Sequence, residues 1–177
     1  MHDGSTRSGA VTRVEIDGDI ATLVFDRPEK RNAMNDALID DLDRFFSDLP
    51  EGVNAVILRG EGGHFCSGLD LAEHEQRPPI DGVYHSRNWH RVSELIEFGG
   101  LPVISVLTGA VIGGGLEIAA STHVRIAEPS ARFQLPEGRR GIFVGGGATV
   151  RVGRIIGPDR MREMMHSYIR DLQNLQI

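Results

Sequence analysis

The chain has 177 residues, enough for one domain with a sizeable core, and its 40% apolar and 25% charged residues are ordinary for a globular fold. Its 19 basic and 25 acidic residues leave a formal net charge of −6, which with no long basic run argues against nucleic acid as the main partner. Cys66 is the single cysteine, so no intrachain disulfide can form, and no apolar run approaches the ~20 residues that span a bilayer; a reducing, cytoplasmic setting away from the membrane is expected.

Met1 to Gly9 is polar, lacks the apolar core of a signal peptide, and reads as a disordered tail. Val11 to Ile16 alternates apolar and polar residues with one slip, and Ile20 to Phe25 is mostly apolar; Asp17-Gly18-Asp19 between them reads as a hairpin turn. Asp26 to Asn32 is a polar loop. The spacing of Leu38, Leu42, Phe45, Phe46 and Leu49 predicts a helix from about Asn35 to Leu49, ended by Pro50 and Gly52. Ala55 to Leu58 is a buried-type strand, and Phe65 to Leu71 a compact loop. Ala72 to Tyr84 reads as a variable polar excursion around Pro78-Pro79. A helix is expected over His85 to Phe98, with Trp89, Val92, Leu95 and Ile96 on one side; Trp89 and Phe98 are expected in the core, on a helix that could border a ligand pocket.

Pro102 to Leu107 is a second buried-type strand. After Thr108 to Gly113, a helix opens on Gly113-Gly114-Gly115 and runs to about Ser121. His123 to Ala127 and Arg132 to Gln134 are short strands. Gly145-Gly146-Gly147 opens a helix over Ala148 to Ile155, and a last helix follows the break at Gly157-Pro158. This alternation of strands and helices argues for an α/β arrangement.

Two glutamates stand out. Glu117 lies in the first turn of the glycine-opened helix, where bare N–H groups and the helix dipole favour negative charge. Gly114 and Glu117 are three residues apart and share one face, so an anion-stabilising donor lies beside a carboxylate. Glu137 follows Pro136 at the end of the apolar run Phe133 to Leu135. Such a pairing suits a carbonyl compound whose oxygen becomes negative. Each glutamate alone reads more simply: Glu117 as a dipole-stabilising first-turn residue, Glu137 as a surface loop residue. Other chemistries lack their motifs. Neither a phosphate-binding G-x-x-x-x-G-K-[ST] nor a strand-borne G-x-G-x-x-G occurs. Ser67 has Phe65 where a nucleophile elbow needs glycine. The histidines show no ligand spacing, so no metal is proposed, and Cys66 reads as a small packing residue.

The strings Asp26-Arg27-Pro28-Glu29-Lys30-Arg31-Asn32-Ala33-Met34, Phe65-Cys66-Ser67-Gly68-Leu69-Asp70-Leu71, Gly113-Gly114-Gly115-Leu116-Glu117, Leu135-Pro136-Glu137 and Gly145-Gly146-Gly147 resemble, in order and spacing, the enoyl-CoA hydratase/isomerase (crotonase) family. The resemblance covers roughly Val11 to Met165. It implies an α/β, crotonase-like (ClpP/crotonase) core of repeated β-β-α units, with packed sheets flanked by helices. The expected layout is a tail over 1–9, an acyl-CoA-binding core over 10–157 and a C-terminal helix over 158–177, truncated relative to the family.

The resemblance also implies roles. The backbone N–H groups of Leu69 and Gly114 would hold the thioester oxygen, with donors preorganised at a developing enolate. Glu117 and Glu137 would be the acid–base pair, one carboxylate activating water and one carboxylic acid supplying a proton. Arg27, Lys30 and Arg31 match a basic loop beside the coenzyme A phosphates, and Ser67, Gly68, Leu69, Asp70, Leu71, Ala72, Gly113 and Gly114 match substrate-contacting positions. The implied activity is addition of water to a 2-enoyl-CoA, without metal or redox cofactor, since coenzyme A enters within the thioester substrate. Δ3-Δ2 enoyl-CoA isomerisation needs one base and the same oxyanion hole, and a catalytically inert acyl-CoA binder is the third alternative. A homotrimer or dimer of trimers is the implied assembly.

Two departures are local: Thr108 stands where many relatives carry asparagine, and Ile142-Phe143-Val144 replaces a leucine-isoleucine-proline run. The end departs further. Ile169, Leu172 and Leu175 fall at helical spacing and would need a partner surface.

Overall fold

The computed structural model describes residues 6–9, 11–74, 78–166 and 170–171. Strands β1 (Thr6–Ser8), β2 (Thr12–Asp17) and β3 (Ile20–Phe25) form an antiparallel meander. Asp17 pairs with Ile20, so Gly18 and Asp19 make a two-residue hairpin loop, and Gly18 supplies the positive φ of +61°. Within the stretch read as a disordered tail, Thr6–Ser8 thus pair with β2, whose outer edge offers free backbone groups; residues 1–5 lie outside the described residues.

From β3 the chain crosses over through α1 (Asp36–Ser47) to β4 (Ala55–Gly60), which runs parallel to β3. Asn35 caps α1 by accepting the Leu38 N–H at 3.2 Å. The periodic stripe Leu38, Leu42, Phe45 and Phe46 is buried under the sheet. Next come α2 (Leu71–His74), α3 (Pro79–Phe98) and β5 (Val103–Leu107), again parallel. Then follow β6 (Ala110–Ile112), α4 (Gly114–Ser121), β7 (Val124–Ala127) and β8 (Arg132–Gln134). The last elements among the described residues are α5 (Ala148–Ile156), α6 (Pro158–His166) and the two-residue β9 (Arg170–Asp171). One sheet has the order β1-β2-β3-β4-β5-β7 and the other β6-β8-β9. Helices flank them, which gives the expected α/β arrangement.

Three expectations need correction. Helix α3 begins at Pro79, inside the segment read as a polar excursion; proline is well suited to a first helical turn, and the half-exposed Val83 and Tyr84 hide the periodicity. Phe98 is 73% exposed rather than core. It stands two residues beyond buried Ile96, a step of about 200° that turns it to the opposite side of the helix. At the other end, Arg170–Asp171 pair with β8 as a strand, where one helix was expected to run on through them; Ile169, Leu172 and Leu175 lie outside the described residues.

The small sheet sets the site. Parallel β6 and β8 end side by side, with Ile112 opposite Gln134 and the Gly113 N–H donating to the Gln134 carbonyl at 2.8 Å. Glu117 and Glu137 therefore leave the same end of one sheet, a short step after their strands.

Candidate functional site

The loop Phe65 to Asp70 is threaded between two neighbours. On one side the Cys66 N–H donates to Ala110 O at 2.9 Å and the Ile112 N–H to Cys66 O at 3.0 Å. On the other the Met34 N–H donates to Gly68 O and the Asp70 N–H to Met34 O, each at 2.8 Å. In this parallel pattern both bonds pass over the Leu69 N–H, leaving it outside the ladder. Gly68 (φ +90°) is obligatory, since a Cβ there would lie 2.8 Å from the Ile112 carbonyl oxygen. Gly114 is the first residue of α4, so its N–H has no acceptor within the helix.

Helix α4 is buried along its whole length, including the Glu117 side chain, which is 4% exposed. Glu117 Oε1 accepts the N–H of Gly146 at 2.8 Å and of Ala148 at 3.1 Å. Burial raises its pKa, and the two backbone donors and the nearby Arg151 charge oppose that rise. Glu137 opens the 3-10 turn Glu137–Arg140 and is 7% exposed. Its Oε2 has no hydrogen-bond partner among the described residues. Burial first, and the Glu117 charge as well, push its pKa up to about 7. Gly113 makes room for this carboxyl, because a Cβ there would lie 2.6 Å from Glu137 Oε1.

Leu69, Gly114, Glu117 and Glu137 line one cavity of about 540 Å³. Leu71, Val83, Trp89, Ile142 and Phe143 supply apolar wall, and His85, Ser86 and Arg87 polar wall. Leu69 and Gly114, whose N–H groups stand outside the ladder and the helix bonding, thus line one largely apolar space with an N–H-clamped carboxylate and a carboxyl of raised pKa. That set can polarise a carbonyl, hold charge on its oxygen and move protons at neighbouring atoms.

The remaining sequence-designated residues divide. Arg27 is buried, and its guanidinium donates to Ala33 O (2.6 Å), Asp70 Oδ2 (3.1 Å) and Glu73 Oε1 (3.3 Å). These bonds tie Arg27 and buried Asp70 to each other and brace the Leu69 loop. Lys30 and Arg31 are exposed, and Lys30 Nζ reaches Asp70 Oδ2 at 3.5 Å. The Ser67 N–H donates to Arg31 O (3.0 Å) and its Oγ to Lys30 O (3.2 Å), which fixes the two cations beside the loop. Leu71 lines the cavity, whereas Ala72 is exposed on α2. Buried Cys66 has its thiol pKa pushed up to about 12 by burial, which leaves no thiolate at neutral pH.

Sequence reasoning missed three contributors. Asn32, at φ +56° and fully buried, donates to Glu61 O and His64 O and accepts the Arg27 N–H; an asparagine in a tight polar loop is the available signal. The Gly146–Ala148 clamp on Glu117 lies 29 and 31 residues away, and Gly145-Gly146-Gly147 before a helix is its only trace. Trp89 packs against two glycines: a Cβ on Gly114 would lie 2.2 Å from its ring and one on Gly146 2.1 Å from its Nε1. Its presence near a pocket is legible, but not this contact.

A family model described as enoyl-CoA hydratase/isomerase matches residues 15–168. The short-chain-enoyl-CoA hydratase of Clostridium acetobutylicum is 33% identical over 155 residues, covering 86% of this chain and 59% of that protein. The crystal structure of a candidate enoyl-CoA hydratase from Rhodopseudomonas palustris superposes with a TM-score of 0.89 at 45% identity, over 96% of this chain and 66% of that one. A candidate enoyl-CoA hydratase from Thermobifida fusca, solved in complex with acetoacetyl-CoA, superposes with a TM-score of 0.84 at 25% identity, over 93% and 69%. The chain thus spans about three fifths to two thirds of the length of these relatives. No described helix is long and apolar enough to cross a membrane.

Proposed function

The chain belongs to the enoyl-CoA hydratase/isomerase family, and from that premise we propose that it adds water across the double bond of a 2-enoyl-CoA. The observation that carries this reading is the convergence of Glu117 and Glu137 with the Leu69 and Gly114 N–H groups on one cavity. The bound acetoacetyl-CoA of the Thermobifida fusca neighbour supports a coenzyme A thioester as substrate class. Exposed Lys30 and Arg31, next to the Leu69 loop, are the cations placed for its phosphates.

In this reading the thioester oxygen lies between the Leu69 and Gly114 N–H groups. Glu117, kept carboxylate-like by its two backbone donors, takes a proton from water as the water oxygen bonds to C3. The π electrons of the C2–C3 bond move onto the thioester oxygen as an enolate, which the two N–H groups stabilise; one such donor is typically worth ~3–4 kcal/mol of barrier. Glu137, protonated up to about pH 7, then gives its proton to C2 as the carbonyl re-forms. A proton moved from Glu117 to Glu137 after product release resets the pair. Coenzyme A takes part only within the thioester.

A second reading rests on Glu137 alone. A buried carboxyl with pKa about 7 and an unbonded Oε2 can carry a proton from C2 to C4 of a 3-enoyl-CoA, which is Δ3-Δ2 isomerisation. Supplying 2-enoyl-CoA and 3-enoyl-CoA in parallel separates the two. Loss of the conjugated enoyl-thioester absorbance with crotonyl-CoA supports hydration; binding of acyl-CoA without product from either substrate removes both readings. For assembly we propose a homotrimer, singly or paired, consistent with the half-exposed Val124 and Ile126 on β7 at the edge of the large sheet. A stable monomer by light scattering at micromolar concentration would refute that assembly.

A further inference from the structure

Arg151 reaches across the glycine loop that holds Glu117. It stands on α5 with only 11% of its side chain exposed, although an arginine is seldom so buried without a task. Its Nε donates to Glu97 Oε2 at 2.6 Å, which ties α5 to α3. Its Nη1 donates to the Gly146 carbonyl at 3.2 Å. The N–H of that same Gly146 donates to Glu117 Oε1 at 2.8 Å. The guanidinium lies so close to the loop that a Cβ on Gly147 would sit 2.3 Å from Arg151 Nη1; with φ +97°, position 147 is doubly suited to glycine. A continuous chain of contacts thus runs from Glu97 through Arg151 and Gly146 to the Glu117 carboxylate.

We propose that Arg151, oriented by Glu97, is a positioning residue for Glu117: it anchors the Gly145–Gly147 loop, so that the Gly146 and Ala148 N–H groups hold one carboxylate oxygen and leave the other free for a proton. This role rests on the reading of Glu117 as the base toward water. The Arg151 charge adds a second effect, because a nearby cation favours the ionised carboxylate against the cost of burial. The other charged or titratable groups at this carboxylate are Glu137 from the 3-10 turn and, on the cavity wall contributed by α3, His85 and Arg87. Glu97 offsets the Arg151 charge only in part, since it is 29% exposed and screened by water. Arginine fits where lysine would not. One planar fork serves a carboxylate on α3 and a carbonyl on the loop together.

The test is Arg151→Met, which keeps the apolar stem and removes the fork, beside Arg151→Lys, which keeps the charge. Two readouts are taken: the pH profile of crotonyl-CoA hydration, and 13C NMR titration of Glu side-chain carboxyls, with the Glu117 resonance identified by its loss in Glu117→Gln. In Arg151→Met the Glu117 resonance should titrate at higher pH than in the parent chain. Its kcat should drop by about 10- to 100-fold, the scale of a misplaced reacting group, with KM changed less than about threefold. Arg151→Lys should return the titration toward its original position and restore kcat only in part. An unmoved Glu117 resonance with unchanged kcat, and only a lowered melting temperature, would overturn the proposal and leave Arg151 a brace between α3 and α5. Should Arg151→Met not fold, Arg151→Lys decides alone, since a kcat equal to the parent's overturns it. A parent chain that hydrates nothing would end the hydratase reading, while the NMR titration still tests the positioning role.

Discussion

Glu117 Oε1 accepts two backbone N–H groups, at 2.8 and 3.1 Å, while Glu137 Oε2, across the same cavity, accepts none among the described residues. The two carboxyls share burial but differ in hydrogen bonding, with two backbone donors from a distant loop on Glu117 against one from its own residue on Glu137, and that difference separates their protonation. Backbone donors favour ionised Glu117; burial and the neighbouring Glu117 charge keep a proton on Glu137 up to about pH 7.

Hydration should therefore show a bell-shaped dependence of kcat/KM on pH. The alkaline limb falls as Glu137 loses its proton near pH 7, and the acid limb falls as Glu117 gains one. Initial rates with crotonyl-CoA from about pH 5 to about pH 9 check this. A rate that stays flat through the alkaline half contradicts Glu137 as the acid.

Glu137 should also cost stability. Its folded pKa, about 7, lies above its unfolded value of 4.5, so the folded state holds the proton more tightly. Stability is therefore highest below pH 4.5, where Glu137 is protonated in both states, and falls as pH rises through about 7, so the cost is borne at alkaline pH. Glu137→Gln, which is neutral at every pH, should stabilise the fold by about 1–2 kcal/mol at pH 8 and by little at pH 5, read by urea denaturation. Activity and stability then move in opposite directions. Equal stability of both proteins at the higher pH contradicts the buried acid.

The loop bearing Leu69 should depend on the Arg27–Asp70 pair. Both side chains are buried, at 10% and 5% exposure, so Arg27→Met leaves Asp70 only the more distant, half-exposed Lys30 at 3.5 Å and strands the Ala33 carbonyl. A loss of roughly 3 kcal/mol is expected, against less than about 0.5 for exposed Arg31→Ala. Arg31→Ala, and Lys30→Ala likewise, should instead raise KM for the thioester, more at low salt than at high. Thermal melts with paired kinetics check both, and an Arg27→Met protein as stable as its parent contradicts the bracing role.

Gly146→Ala should cripple the site without altering any side-chain chemistry. Its Cβ would lie 2.1 Å from Trp89 Nε1 and 2.7 Å from Glu117 Oε2, so ring or carboxylate must shift. A kcat loss of about 100-fold is expected. Trp89 is the sole tryptophan, so its fluorescence should change in the same variant. An unchanged spectrum with full activity contradicts the close packing.

Much of this was legible in the residues. The stripe Leu38, Leu42, Phe45 and Phe46 marks α1, the apolar runs mark β3 to β5, and three glycines announce both α4 and α5, because these signals are local and periodic. What escaped was decided over distance. The three residues of β6 gain strand form from pairing with β8, which no periodicity announces. The start of α3 is masked by exposed apolar residues on its first turns. The pairing of Arg27 with Asp70, 43 residues on, joins two loops that no local pattern connects. Glu117 is visible as a first-turn glutamate, but the donors that set its ionisation belong to a loop met 29 residues later.

The most direct test of the acid–base pair is steady-state hydration of crotonyl-CoA, followed by loss of enoyl-thioester absorbance, for the chain and its Glu117→Gln and Glu137→Gln variants. Turnover by the parent is expected, with a kcat lower by about 10²- to 10⁴-fold in each variant and acetoacetyl-CoA still bound. A Glu137→Gln variant that hydrates as fast as the parent at saturating substrate would contradict the acid–base pair.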